Sequence, residues 1–215
     1  MAHPPLRGLY LLLDPMVCPG RSLGDVLKEA ADHGVRLFQY RNKHASMKDA
    51  YRLGGELRRV SADAGVLFIV NDRCDLALAL DADGVHVGQT DVSVPDARVL
   101  LGRNKIVGVS THTPDQVVAA ARDQPDYIAY GPIFSTPTKP DHEPVVGIRG
   151  LREIRPLLSV PLFAIGGISA ERLTQVTQAG ADGAAVISAV LRAPSIGGAV
   201  DEFMAQFGKS ELPAN

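Results

Sequence analysis

Two aspartates stand where two short apolar runs stop. The run 66–70, Val-Leu-Phe-Ile-Val, breaks at Asn71-Asp72-Arg73, and the run 84–87, Gly-Val-His-Val, breaks at Gly88-Gln89-Thr90-Asp91. In a sheet of parallel strands both breaks emerge at the same edge, so Asp72 and Asp91 can converge although nearly twenty positions separate them. Two acids facing one cavity repel unless one is protonated or a cation lies between them. A magnesium ion shared with a phosphate fits that arrangement. The alternative is that each aspartate is a helix N-cap or a turn residue. Cations follow the same pattern. Arg41 and Lys43 alternate with neutral neighbours after the run 37–40 and can point the same way, which suits a phosphorylated substrate as well as it suits an exposed basic turn.

Further along, Ser110 ends a run at 106–109, and Ser135, Thr136 and Thr138 with Lys139 form a hydroxyl-rich loop that reads as anion-holding or as a solvated Thr/Pro loop. Gly166-Gly167 opens a helix after the run 162–165, and Ile187-Ser188 closes the run 183–187. Glycines there let bare amides approach an anion at the positive end of a helix. His86 lies inside its apolar run and reads as a hydrogen-bonded interior residue rather than a base. His112 is ambiguous, and no Ser-His-Asp set is evident.

The elements that must position these residues alternate regularly. Strands are expected at 9–13, 37–40, 67–70, 84–87, 106–109, 127–130, 162–165 and 183–187. Helices are expected at 23–32, 47–62, 73–80, 94–101, 114–123, 148–157, 170–178 and 199–207, with caps at Ser22, Ser46, Thr113 and Ser169. Strands apolar on both faces, joined by crossover helices, make a parallel sheet, and eight such units favour a closed (β/α)₈ TIM barrel. An open dinucleotide-binding sheet wants Gly-x-Gly-x-x-Gly after its first strand, whereas this chain has Asp14-Pro15-Met16. The chain of 215 residues reads as a single domain, 1–215, with its core at about 8–207 and a frayed tail at 209–215.

Composition removes several classes of function. A net charge of -2, no Trp and no basic-aromatic interleaving give no case for nucleic acid or a membrane surface. The run 9–13 is too short for a signal segment or a membrane span. Cys18 and Cys74 fit neither C-x-x-C nor zinc spacing and read as reduced thiols of a cytoplasmic protein. Oligomeric state stays open, with a homo-oligomer among the possibilities.

Taken together, Val70-Asn71-Asp72-Arg73, Gly84-Val85-His86-Val87-Gly88-Gln89-x-Asp91, Gly108-Val109-Ser110-x-His112, Gly131-Pro132-Ile133-Phe134, Thr136-Pro137-Thr138-Lys139 and Ala164-Ile165-Gly166-Gly167-Ile168 resemble the thiamine-phosphate synthase family, over about 9–207. The resemblance implies a magnesium-dependent transferase that joins a hydroxymethylpyrimidine diphosphate to a thiazole phosphate and releases pyrophosphate. It also implies roles. Gln39, Tyr40, Arg41, Asn42, Lys43, Asn71, Ser110 and Lys139 would hold the pyrimidine diphosphate. Thr136, Pro137, Thr138, Gly167, Ile187 and Ser188 would hold the thiazole phosphate, and Asp72 and Asp91 the Mg²⁺. One departure is Asn42, where the family usually has Glu. The rivals are a thiazole tautomerase-like isomerase, against which Pro132 and the intact 136–139 loop argue, a sugar-phosphate epimerase or isomerase barrel, and a catalytically inactive thiamine-precursor-binding protein, to which only Asn42 points.

Overall fold

The computed structural model describes residues 4–18, 20–136 and 143–210. Its strands are β1 (Gly8–Leu13), β2 (Leu37–Tyr40), β3 (Leu67–Asn71), β4 (Gly84–Val87), β5 (Ile106–Thr111), β6 (Tyr127–Tyr130), β7 (Leu162–Ile165) and β8 (Gly183–Val186). They pair in chain order, all parallel, and β8 pairs back onto β1 to close the barrel. The helices are α1 (Leu23–Asp32), α2 (Met47–Asp63), α3 (Cys74–Ala79), α4 (Val94–Leu101), α5 (Pro114–Arg122), α6 (Gly147–Ile154), α7 (Ala170–Gln178), α8 (Ser188–Leu191) and α9 (Ile196–Ser210). The expected TIM barrel is therefore the observed fold.

Local chemistry explains the boundaries. The hydroxyls of Ser22, Ser46, Ser93 and Thr113 accept an amide hydrogen of the first helical turn and start α1, α2, α4 and α5. Ser169 occupies the cap position of α7 without making that bond. Gly34 and Gly180, at φ +105° and +98°, turn the chain back towards β2 and β8 in a conformation that Cβ-bearing residues resist. The helix expected at 148–157 divides into α6 and a 3₁₀ turn, Arg155–Leu157, because Pro156 has no amide hydrogen to continue the α-helical ladder. The helix expected at 199–207 begins earlier, at Ile196. Gly197 and Gly198 argue against a helix by propensity, but their amides donate to Glu29 and to Ser195, and the His33 ring fills the space a side chain at 197 would need. This helix also continues through Ser210, into the segment expected as tail; the rest of that segment, 211–215, lies outside the described residues.

Residues alternate along each strand between two apolar layers. One lies between barrel and helices and includes Leu11, Leu13, Phe38, Phe68, Val85 and Val107. The other fills the barrel interior with Tyr10, Leu12, Leu37, Ile69, Ile106, Tyr127, Phe163 and Ala185. Large interior rings face strands that carry glycine at the same level. A Cβ on Gly108 would lie 2.1 Å from Cζ of Tyr127, and one on Gly183 would lie 2.4 Å from Cε1 of Phe163. Gly108→Ala is therefore expected to destabilise the protein by about 1–3 kcal/mol through overpacking. Thermal unfolding measures it, and an unchanged midpoint would show that the Tyr127 ring yields without cost.

Candidate active site

The loops that follow the C-terminal ends of the strands share one mouth. Asp72, directly after β3, has a left-handed backbone, φ +64°, which aspartate tolerates better than most residues. It is not a helix cap: Arg73 holds that position of α3 and makes no side-chain cap bond. The Asp72 amide donates to the His86 carbonyl of β4 at 2.8 Å, which fixes the β3 end against the strand that leads to Asp91. The carboxyl of Asp72 acts on that of Asp91 through both charge and a side-chain hydrogen bond, so the two acids are neighbours at this mouth. Asp91 also closes its own turn, because the Gly88 amide donates to Oδ2 at 2.7 Å. Lys43, after β2, places Nζ 3.1 Å from Oδ2 of Asp72. Three loops thus bring two acids and one cation together.

The acid pair has an electrostatic consequence. Burial lifts the Asp91 carboxyl above the ordinary aspartate value; the Gly88 amide opposes the rise, and the charge and hydrogen bond of Asp72 add to it. Between the ordinary value and the raised one, the folded protein holds a proton that the unfolded chain has released, so stability falls as pH rises through that window. In a chelator, thermal unfolding at stepped pH should show this fall as the difference between wild type and Asp91→Asn, because Asp75 and Asp81, both lowered by their cation partners, add an opposite slope to each. Profiles that run parallel across the window would contradict the pairing.

Arg41, after β2, is held by a residue of the neighbouring β1 loop. Its guanidinium pairs with the carboxylate of Asp14, which is 3% exposed and directly follows β1. Asp14 also accepts the Met16 amide at 2.9 Å. Its role as the anchor of Arg41 escapes sequence reading, in which Asp14-Pro15 is only a strand breaker. Asn42 donates to the Tyr40 hydroxyl at 3.1 Å, and the Tyr40 ring packs outward, beside Phe68 and over Gly54 of α2.

Gln39 and Ser110 lie at the two ends of a buried polar chain. The Gln39 amide N–H donates to the Tyr10 hydroxyl at 2.7 Å, and the Tyr10 and Tyr127 hydroxyls meet at 2.7 Å. His86 has Nδ1 at 2.9 Å from the Tyr127 hydroxyl and Nε2 at 2.8 Å from Oγ of Ser110. His86 is thus the interior hydrogen-bonded residue its strand position suggests. Asn71, the last residue of β3, pairs in register with His86. His112 places Nδ1 2.7 Å from the Gly131 carbonyl and ties the β5 end to the β6 end.

The loops after β6 and β7 press together. Ile133 and Phe134 amides donate to the Ile165 and Gly166 carbonyls at 2.8 and 3.0 Å. A Cβ on Gly167, at φ +63°, would lie 2.5 Å from the Ser135 carbonyl oxygen, so glycine alone fits. Arg172 stacks over Phe134 at 4.7 Å and donates to the Gly167 carbonyl at 3.1 Å, a clamp that sequence patterning does not reveal. Thr136 is described; Pro137, Thr138 and Lys139 lie outside the described residues. β8 ends at Val186, one residue short of expectation, and Ile187 caps the four-residue α8, whose first residue is Ser188. A helix that short carries no sequence periodicity. A groove of about 620 Å³ between α1 and α2, lined by Arg21, Lys28, Glu56 and Arg59, includes none of these residues.

Residues 9–190 match the family model of thiamine monophosphate synthase. The chain belongs to the thiamine monophosphate synthase family. The thiamine-phosphate synthase of Chloroflexus aurantiacus is 47% identical over 197 residues, covering 92% of this chain and 91% of that protein. That of Syntrophomonas wolfei is 43% identical over 190 residues, covering 88% and 91%. The structure of thiamine phosphate pyrophosphorylase from Pyrococcus furiosus superposes with a TM-score of 0.85 at 33% identity, covering 95% of this chain and 97% of that one. The activity is accordingly that of a thiamine-phosphate synthase, a transferase acting on small molecules. Among the described residues no helix is long and apolar enough to cross a membrane.

Proposed function

We propose that the chain condenses 4-amino-2-methyl-5-hydroxymethylpyrimidine diphosphate with 4-methyl-5-(2-phosphoethyl)thiazole, in the cytoplasm, to give thiamine monophosphate and pyrophosphate. The observation that carries this reading is the meeting of Asp72, Asp91 and Lys43 at the barrel mouth. Magnesium is commonly held by one or two carboxylates together with substrate phosphate oxygens, and Asp72 with Asp91 supplies such a pair. When bound there, it supplies positive charge against the departing pyrophosphate.

The protein's own groups do the rest by position and charge. Arg41 and Lys43, with Lys139 and Asn71, hold the diphosphate and stabilise the negative charge that develops on it as the carbon–oxygen bond breaks. Gln39 and Ser110 hold the pyrimidine ring, and Tyr40 and Asn42 complete that strand end. Thr136, Pro137, Thr138, Gly167, Ile187 and Ser188 hold the thiazole phosphate so that its ring nitrogen faces the pyrimidine methylene carbon. Bond breaking leaves a pyrimidine-methyl cation, the thiazole nitrogen lone pair forms the new carbon–nitrogen bond, and pyrophosphate carries away the oxygen. Such a substitution relies on positioning more than on a protein nucleophile. Asn42 cannot carry the charge of a glutamate, and its hydrogen bond to Tyr40 gives it a local structural role.

Incubation with both substrates and magnesium tests the reading. Pyrophosphate release that requires all three supports it. Tight binding without release would identify a binding protein, and isomerisation of the thiazole alone would identify a tautomerase.

A further inference from the structure

The polar chain from Gln39 to Ser110 crosses the barrel interior through four hydrogen bonds. Gln39 is 2% exposed, Tyr10 1%, Tyr127 0% and His86 5%, so protons within the chain cannot be traded freely with water. Burial raises both tyrosine hydroxyls above their ordinary range, so each keeps its single proton. Among the described residues, the Tyr10 hydroxyl meets only Gln39 and Tyr127. With the Gln39 N–H donated to Tyr10, the Tyr10 proton has only Tyr127 to go to. The Tyr127 proton then goes to Nδ1 of His86, and His86 carries its own proton on Nε2 and donates it to Oγ of Ser110. The Ser110 proton is left to point away from the chain, as a donor.

The opposite direction also satisfies every hydroxyl, but only if the Gln39 amide is turned round. Ser110 would then donate inward and offer only a lone pair. The two ends are therefore coupled: the group Gln39 presents dictates the group Ser110 presents. In this orientation the Gln39 carbonyl oxygen makes no hydrogen bond among the described residues, and no buried polar side-chain atom there lacks a partner, so this oxygen is not fully enclosed and can accept from a bound ring. The pair on offer is one acceptor, Gln39, and one donor, Ser110. That pair complements an exocyclic amino group beside a ring nitrogen. The turned pair complements an oxo group beside a ring N–H.

We propose that Tyr10, Tyr127 and His86 are positioning residues that set substrate specificity, by locking Gln39 and Ser110 into the donor–acceptor pattern of an aminopyrimidine and against that of an oxopyrimidine. The proposal rests on the reading that Gln39 and Ser110 hold the pyrimidine. Its mechanism is satisfaction of buried hydroxyls: an oxopyrimidine turns both ends at once or leaves one group unpaired. Phe163 stands edge-on to both tyrosine rings, at 5.4 and 5.3 Å, and supplies packing without a hydroxyl.

Two measurements test this. Nitrogen-15 spectra of histidine-labelled wild-type protein should show His86 protonated on Nε2 and bare on Nδ1; the reverse tautomer would overturn the assignment without any variant. Dissociation constants for the 4-amino and 4-oxo pyrimidine diphosphates, measured with magnesium and no thiazole, give the discrimination ratio. Tyr127→Phe should lower that ratio about ten-fold, the size of one neutral hydrogen bond, and leave the KM for thiazole phosphate unchanged. Phe163→Leu, which alters packing alone, should leave the ratio where it is. A ratio unmoved in Tyr127→Phe, or lowered equally in Phe163→Leu, would overturn the relay. Ser110→Ala separates the two levels. If it weakens aminopyrimidine diphosphate while Tyr127→Phe is silent, the relay alone fails; if it leaves that affinity unchanged, the placement of the pyrimidine fails and the relay with it.

Discussion

Asp72→Asn lowers turnover about a hundred-fold or more and blunts the response to magnesium, because it removes one of the two carboxylates that converge at the mouth. Asparagine is the informative substitute. It tolerates the left-handed backbone at 72, φ +64°, and so removes the charge without straining the turn. Stability of the metal-free protein should hold or rise, since the carboxylate opposite Asp91 is gone and only a half-exposed ion pair with Lys43 is lost. Asp72→Ala adds a backbone cost of about 1–2 kcal/mol to the same catalytic loss. Rates against magnesium concentration, beside thermal unfolding in a chelator, separate the two effects. An unchanged magnesium response would remove Asp72 from the metal site.

Ser188→Asp is expected to raise the KM for thiazole phosphate about a hundred-fold or more, since like charges set face to face in a site cost several kcal/mol. The substitution falls on a partly exposed residue at the start of the short α8, where a carboxylate is compatible with the helix end. The fold should therefore survive, and the KM for the pyrimidine diphosphate should stay within about three-fold of wild type. Steady-state kinetics with each substrate varied in turn reads both numbers. A normal KM for thiazole phosphate would move its phosphate away from the β8 end.

Much of this arrangement is legible in the chain because parallel barrels put every strand's C-terminal end at one mouth. The convergence of Asp72 on Asp91 follows from the strand count and the position of each acid after its strand. What is not legible depends on side-chain facing and on pairs between separate loops. Asp14 and Arg41 directly follow neighbouring strands, and nothing in either local sequence announces that the buried carboxylate holds the guanidinium. Tyr10 and Tyr127 read as strand fillers, and His86 as an interior hydrogen-bonded residue without named partners, until closure of the barrel brings β1, β4 and β6 within reach across the interior. The early start of α9 is hidden for a related reason: two glycines weaken the local preference, and tertiary bonds from Glu29 and space filled by His33 override it.

The most direct test of the whole account is a crystal structure of the protein with magnesium and pyrophosphate. The account predicts that Asp72 and Asp91 would hold a metal ion beside pyrophosphate, with Arg41 and Lys43 on the anion. A metal held elsewhere, or pyrophosphate seated at the opposite end of the barrel, would contradict it.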